Sequence, residues 1–206
     1  MLDGIRALRL TALDLWEDSF TVLGTGLLGG MLSLLLLPLP FVLAGHYGVA
    51  DRISEQRIVT GRIWFQCGRK HAPFFYKWML LVALVSVILL GNIAFYQRLD
   101  ASWTTIVSWL MMSLLFLWLL PQPLVPALYF RQTDRRLRVA LRNAAVMTLT
   151  DPLSIIVLWL ALLVLAIPLG YIAWPLLLLL QVIMALLGTR IVWLRLKHLT
   201  GPPPKM

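Results

Sequence analysis

Four stretches of this chain carry no charged side chain: Ser19 to Ala50, Trp78 to Gln97, Ala101 to Phe130 and Pro152 to Thr189. Nothing else in the sequence narrows its fold as much. The hydrocarbon core of a bilayer is about 30 Å thick, and a helix rises about 1.5 Å per residue, so roughly 20 apolar residues span it. Each run is that long or longer. Of 206 residues, 60% are hydrophobic and 13% charged, more apolar surface than a water-soluble domain of this length buries. The chain reads as all-α: a polytopic transmembrane helix bundle of about five spans, forming a single membrane domain over residues 1–206.

The spans are expected at Phe20 to Ala44, Phe74 to Tyr96 and Trp103 to Phe130, with Pro168, Gly170 and Pro175 dividing the last run into Pro152 to Leu169 and Trp174 to Leu194. Asp3, Arg6, Arg9, Asp14, Glu17 and Asp18 precede the first run, which is not the pattern of a cleaved leader, so that run is expected to stay. Five crossings place the termini on opposite sides. Of the 18 Lys and Arg residues, all but Arg6, Arg9 and Arg98 then fall on one side, so the carboxyl terminus is expected in the cytoplasm and the amino terminus outside, in a plasma membrane. The formal charge of +9 therefore belongs to loops beside anionic lipid, and nucleic acid is not expected as a partner. Aromatic residues fall near both sets of span ends (Trp16, Phe20, Phe95, Tyr96, Trp103, Tyr171 and Trp174 outside; Tyr47, Trp64, Phe74, Phe75, Tyr76, Trp78, Tyr129, Phe130 and Trp193 inside), as two interfacial belts would.

A phrase recurs. LPLPFVLAGHYGVADR begins at Leu37 and LPQPLVPALYFRQTDR at Leu120, aligning Pro38 with Pro121, Pro40 with Pro123, Val42 with Val125, Ala44 with Ala127, and Asp51-Arg52 with Asp134-Arg135. Both copies end an inward-running span, so a parallel internal repeat is expected, with unit one at about 20–96, unit two at about 103–170 and a final helix at about 174–194. Proline removes an N–H and frees a carbonyl one turn back, so each copy is expected to kink its helix and turn into a cytoplasmic interfacial segment.

After the second copy, Arg131, Arg135, Arg138 and Arg142 recur at helical spacing, with Leu137, Leu141, Ala144 and Thr148 nearly opposite. That pattern suits an amphipathic cytoplasmic interfacial helix whose arginines meet anionic headgroups or a partner protein. The earlier basic segment, DRISEQRIVTGRIWFQCGRKHAPFF, is less periodic, and Gly61 and Gly68 are expected to interrupt it.

Little here reads as chemistry. GTGLLG, from Gly24, matches a dinucleotide fingerprint but sits inside an apolar run, where Gly26 and Gly30 serve better as a close helix-packing pair. Cys67 and His71, with His46, fall short of the ligand set that holds zinc, so no metal and no cofactor is expected. Asp151 before Pro152 reads as a helix N-cap, and Asp51 and Asp134 as partners of nearby arginines. No carboxylate lies deep in a span and no nucleophile–base set is visible, so no catalytic residue is named and an enzyme is not expected.

The order of LPLPFVLAGHYGVADR, then GRIWFQCGRKHAPFFYKW, then a second span resembles the YesL-like family of bacterial integral membrane proteins, whose function is unknown. The resemblance covers most of the chain. It implies a bacterial protein and an accessory role, since members often accompany carbohydrate-uptake systems. The expected function is a non-catalytic accessory or assembly subunit of a larger membrane complex, or of self-associated copies. The alternative is a small transporter or lipid-binding protein using a cleft between the repeats, lined by Asn92, Gln122 and Gln181.

Overall fold

The computed structural model describes residues 2–17, 19–35, 37–99, 102–172 and 178–200. Among these the chain is all-helical: α1 (Leu2–Glu17), α2 (Ser19–Ser33), α3 (Leu39–Ser54), α4 (Gly61–Tyr96), α5 (Ser102–Leu119), α6 (Leu124–Arg131), α7 (Leu137–Thr150), α8 (Pro152–Ile172) and α9 (Leu180–Thr200). Three segments, α4, the α5–α6 arm from Trp103 and α8, are long and apolar enough to cross a membrane. This is an all-α membrane protein.

The first apolar run is not one span. Its helix stops at Ser33 and restarts at Leu39, leaving α2 and α3 at roughly 22 and 24 Å, each shorter than the hydrocarbon core. They run out and back. Asp14, just before α2, and Ser54, the last residue of α3, both bond Arg190, while Gly29 of α2 lies against Val42 and His46 of α3. The expected kinks are instead helix starts: Pro38 caps α3 and Pro123 caps α6 at the N-terminus, with Pro40 in the first turn of α3, where a missing N–H costs no helical bond. Most of α3 and of α6 is buried within the protein.

Glycine sets how closely α4 approaches α3. A Cβ on Gly45 would lie 2.6 Å from Trp64 Nε1, one on Gly48 2.6 Å from Cys67 Cβ, and one on Gly68 2.8 Å from the Phe41 ring. Gly68 therefore does not interrupt the helix as expected. Gly61 begins α4, which then runs unbroken through Gly68 and Pro73 for 36 residues, about 54 Å. Of the aromatic residues expected in the inner belt, Tyr47, Trp64, Phe74, Phe75, Trp78 and Tyr129 are buried core, with Phe74 stacked on Tyr129 at 3.7 Å, while Phe130 and Trp193 are half-buried and Tyr76 is exposed. Trp16, Phe95 and Trp103 of the outer set are exposed; the side chains of Phe20, Tyr171 and Trp174 lie outside the described residues.

Beyond Tyr76 the structure opens out. The far half of α4 and α5 form an antiparallel hairpin closed by Tyr96 on Trp103, ring centroids 5.9 Å apart. Helix α8 runs three residues past its expected end at Leu169, through Gly170 to Ile172, and the expected start of the last helix at Trp174 lies outside the described residues. The charged amino-terminal segment, expected on the opposite side from the basic loops, is a helix packed on α8 and α9.

Candidate functional site

Every helix break leaves carbonyls without a helical N–H, and in a bilayer an unpaired carbonyl costs several kcal/mol. Here side chains from distant elements fill them. Tyr76 Oη donates to Leu37 O at 2.6 Å, holding the α2–α3 turn. At the α5–α6 turn, Tyr47 Oη donates to Pro123 O at 2.9 Å and Trp159 Nε1 donates to Leu120 O at 3.1 Å. Gln122 Nε2 donates to Trp118 O at 2.8 Å while its Oε1 accepts from Trp78 Nε1 at 2.9 Å. Gly188 of α9 faces the same turn, where a Cβ would lie 2.9 Å from Pro123 O.

A second polar group lies between α2, α3 and α4. His46 is 1% exposed, and its Nδ1 accepts from Trp64 Nε1 at 3.2 Å. A nitrogen that accepts is unprotonated, so the neutral ring carries its proton on Nε2, which faces Gly29 and has no partner among the described residues.

At the end where α1, α3, α6 and α9 converge, two ion-pair groups meet on one serine. Arg190 clasps Asp14, with Nε donating to Oδ2 at 2.7 Å and Nη2 paired with Oδ1. Arg131 pairs with Asp51 at 2.6 Å and Glu55 at 2.9 Å. Ser54 joins them: its carbonyl accepts from Arg190 at 3.5 Å and its Oγ from Arg131 at 2.5 Å. Burial raises the Asp51 carboxyl above its usual range, and the Arg131 charge opposes the rise.

The four arginines expected on one helical face are divided. Helix α6 ends at Arg131 and α7 starts at Leu137, so Arg131 and Arg135 lie off the helix that carries Arg138 and Arg142. Arg131 is engaged by acids, Arg135 sits 6.0 Å from the Tyr129 ring, and Arg138 and Arg142 are exposed. Ala140, Ala144, Met147 and Thr148 form the buried face of α7. The exposed face is not uniformly basic, because Val146 and Leu149 follow the arginines toward the α8 end.

The expected polar cleft does not assemble. Gln122 belongs to the α5–α6 turn, Gln181 donates to Ser33 Oγ at 2.9 Å, and Asn92 bonds its own helix at Ile88 O. Cys67 lies against Gly48, His71 bonds Tyr129 Oη at 3.0 Å, and His46 bonds Trp64, so the three have separate neighbours. Gly26 and Gly30 face the start of α9: a Cβ on Gly26 would lie 2.9 Å from Leu179, and one on Gly30 would collide with Leu178 Cβ. Asp151 caps α8, with Oδ2 accepting from Ser154 Oγ at 2.7 Å; Asp134 pairs with Arg136 at 3.6 Å.

Local pattern did not single out Asp14, Arg190, Tyr47, Tyr76 or Trp159. Arg190 had a signal, since it stands alone in LLGTRIVWL, and an ionisable side chain among apolar residues demands a partner. No protein-family model, curated protein or solved structure matches the chain. Most of the polar side chains just described are engaged with backbone carbonyls, with each other or with opposite charges; His46 Nε2 is an exception.

Proposed function

We propose that this protein is a non-catalytic membrane subunit that helps assemble or support a larger membrane complex, such as a transport system. The observation that carries the reading is the α4–α5 hairpin. Leu80, Leu84, Val87, Ile106, Trp109 and Phe116 are all exposed, and α5 packs mainly on α4. A two-helix arm with apolar flanks can lie against neighbouring transmembrane helices through van der Waals packing. The separation of Asn92, Gln122 and Gln181 supports this reading over a polar transport path.

In the proposed orientation α4, the α5–α6 arm and α8 cross the membrane, α9 adds a fourth crossing, and α2–α3 is a hairpin entering from the end that holds Asp14, Ser54 and Arg190. Helix α1 and the end of α9 then share that end, in place of the expected outside amino terminus, and Arg98 is the one Lys or Arg in the α4–α5 connection. The basic end faces the cytoplasm of a plasma membrane, with Arg135, Arg138 and Arg142 toward anionic headgroups. The local likeness of the two proline phrases, each ending an apolar helix and starting a buried one, supports a parallel repeat.

A second reading, lipid binding, rests on an apolar cavity of about 560 Å³ between the end of α1, α2 and the start of α9. Purification in mild detergent followed by mass determination of what remains bound tests both. Stoichiometric partner subunits establish the first reading; a lone chain retaining lipid replaces it with the second.

A further inference from the structure

Helix α1 has two faces of different character. Gly4, Ala7, Thr11 and Asp14 recur at helical spacing and are buried. Their small size lets α1 lie close: a Cβ on Gly4 would be 3.2 Å from Ser154 Cα at the start of α8, and Asp14 reaches Arg190 on α9. Those contacts fix which way the helix faces. The opposite stripe is Ile5, Arg6, Arg9, Ala12, Leu13 and Trp16, all exposed, with Trp16 84% so and Ile5 and Leu13 about half.

Large apolar side chains interleaved with arginines on one face suit the boundary between acyl chains and phosphates, where the rings and alkyl groups sink and the guanidinium groups stay at headgroup level. The surroundings place that boundary at α1. Helix α8, one of the apolar segments, begins at Pro152 beside Gly4; past Trp16 the exposed surface continues over Leu23, Leu27 and Leu28 of charge-free α2. We propose that α1 lies in the plane of one leaflet and presents this face to anionic phospholipid, as an anchor separate from α7 and independent of any role as a subunit.

The test uses the full chain in phosphatidylcholine vesicles containing phosphatidylglycerol, with Cys67→Ser as background and single nitroxides at Leu13→Cys, Trp16→Cys and Arg9→Cys. Labels at Leu13, Trp16 and Arg9, which share this face, should each be relaxed by oxygen far more than by a water-soluble nickel chelate. Nickel access at Leu13 and Trp16 would overturn the proposal, as would shielding from both relaxants, the result a protein partner or second copy would give. With spin-labelled phosphatidylglycerol, Arg6→Gln and Arg9→Gln should each lower association roughly fivefold relative to phosphatidylcholine. An unchanged ratio would overturn the anionic preference.

Discussion

Replacing Arg190 by Met strands a carboxylate. Asp14 and Arg190 have side chains 10% and 8% exposed, and their two-bonded pairing is the main polar contact between α1 and α9. Removing one member of a buried pair costs about 3–5 kcal/mol, mostly because the survivor stays charged and out of water. At roughly 2–4 °C per kcal/mol for a chain of this size, the detergent-solubilised protein should lose on the order of 10 °C in Tm. Asp14→Leu alone should cost a similar amount by stranding the guanidinium, which keeps the long bond to Ser54 O and the Trp193 ring 5.8 Å away but no carboxylate. The double variant should recover most of the loss, since an apolar pair in that place is close to neutral. Asp51→Asn provides the contrast: Arg131 retains Glu55 and is partly exposed, so about 1 kcal/mol is expected. Thermal unfolding by size-exclusion or tryptophan fluorescence reads all four variants. A double variant as unstable as the two single losses added together would show that the pair contributes no coupling and would refute the reasoning.

Tyr47→Phe removes the buried donor to Pro123 O and should cost about 1–3 kcal/mol in the same unfolding assay. Gln56 closes α3 at φ 56°, with Arg57 N donating to Arg52 O and Gln56 N to Ile53 O, so Gln56→Gly should raise stability by about 1 kcal/mol. A Tm that falls in that variant would mean the glutamine side chain contributes more than the left-handed backbone costs.

Hydropathy made the membrane class and the α4, α5 and α8 arms legible, because a run without charge needs no partner to be recognised. It mistook Ser19 to Ala50 for a crossing: two short antiparallel helices and one long one have the same composition, and only the contacts of Gly29 and Arg190 distinguish them. The four arginines misled for a related reason. Their spacing is helical, yet Arg131 has Asp51 and Glu55 across the bundle, and the chain leaves the helix between Arg131 and Leu137. The Asp-Arg matches of the repeat diverge likewise, since Asp51 and Arg52 end a buried helix while Asp134 and Arg135 lie in a connection. Pro38 and Pro123 announced the breaks, but the donors that make those breaks tolerable come from as far as 76 residues away, beyond any local pattern.

Those distant donors set a timetable for the ribosome. The Leu37 carbonyl waits for Tyr76, made 39 residues later, and the Leu120 carbonyl waits as long for Trp159, whereas Tyr47 is already present when Pro123 appears. A nascent chain paused before residue 76 holds a bare turn that prefers the headgroup region or an insertase channel to lipid. The α2–α3 hairpin therefore settles only as α4 emerges beside it, and the second turn closes fully only when α8 has followed.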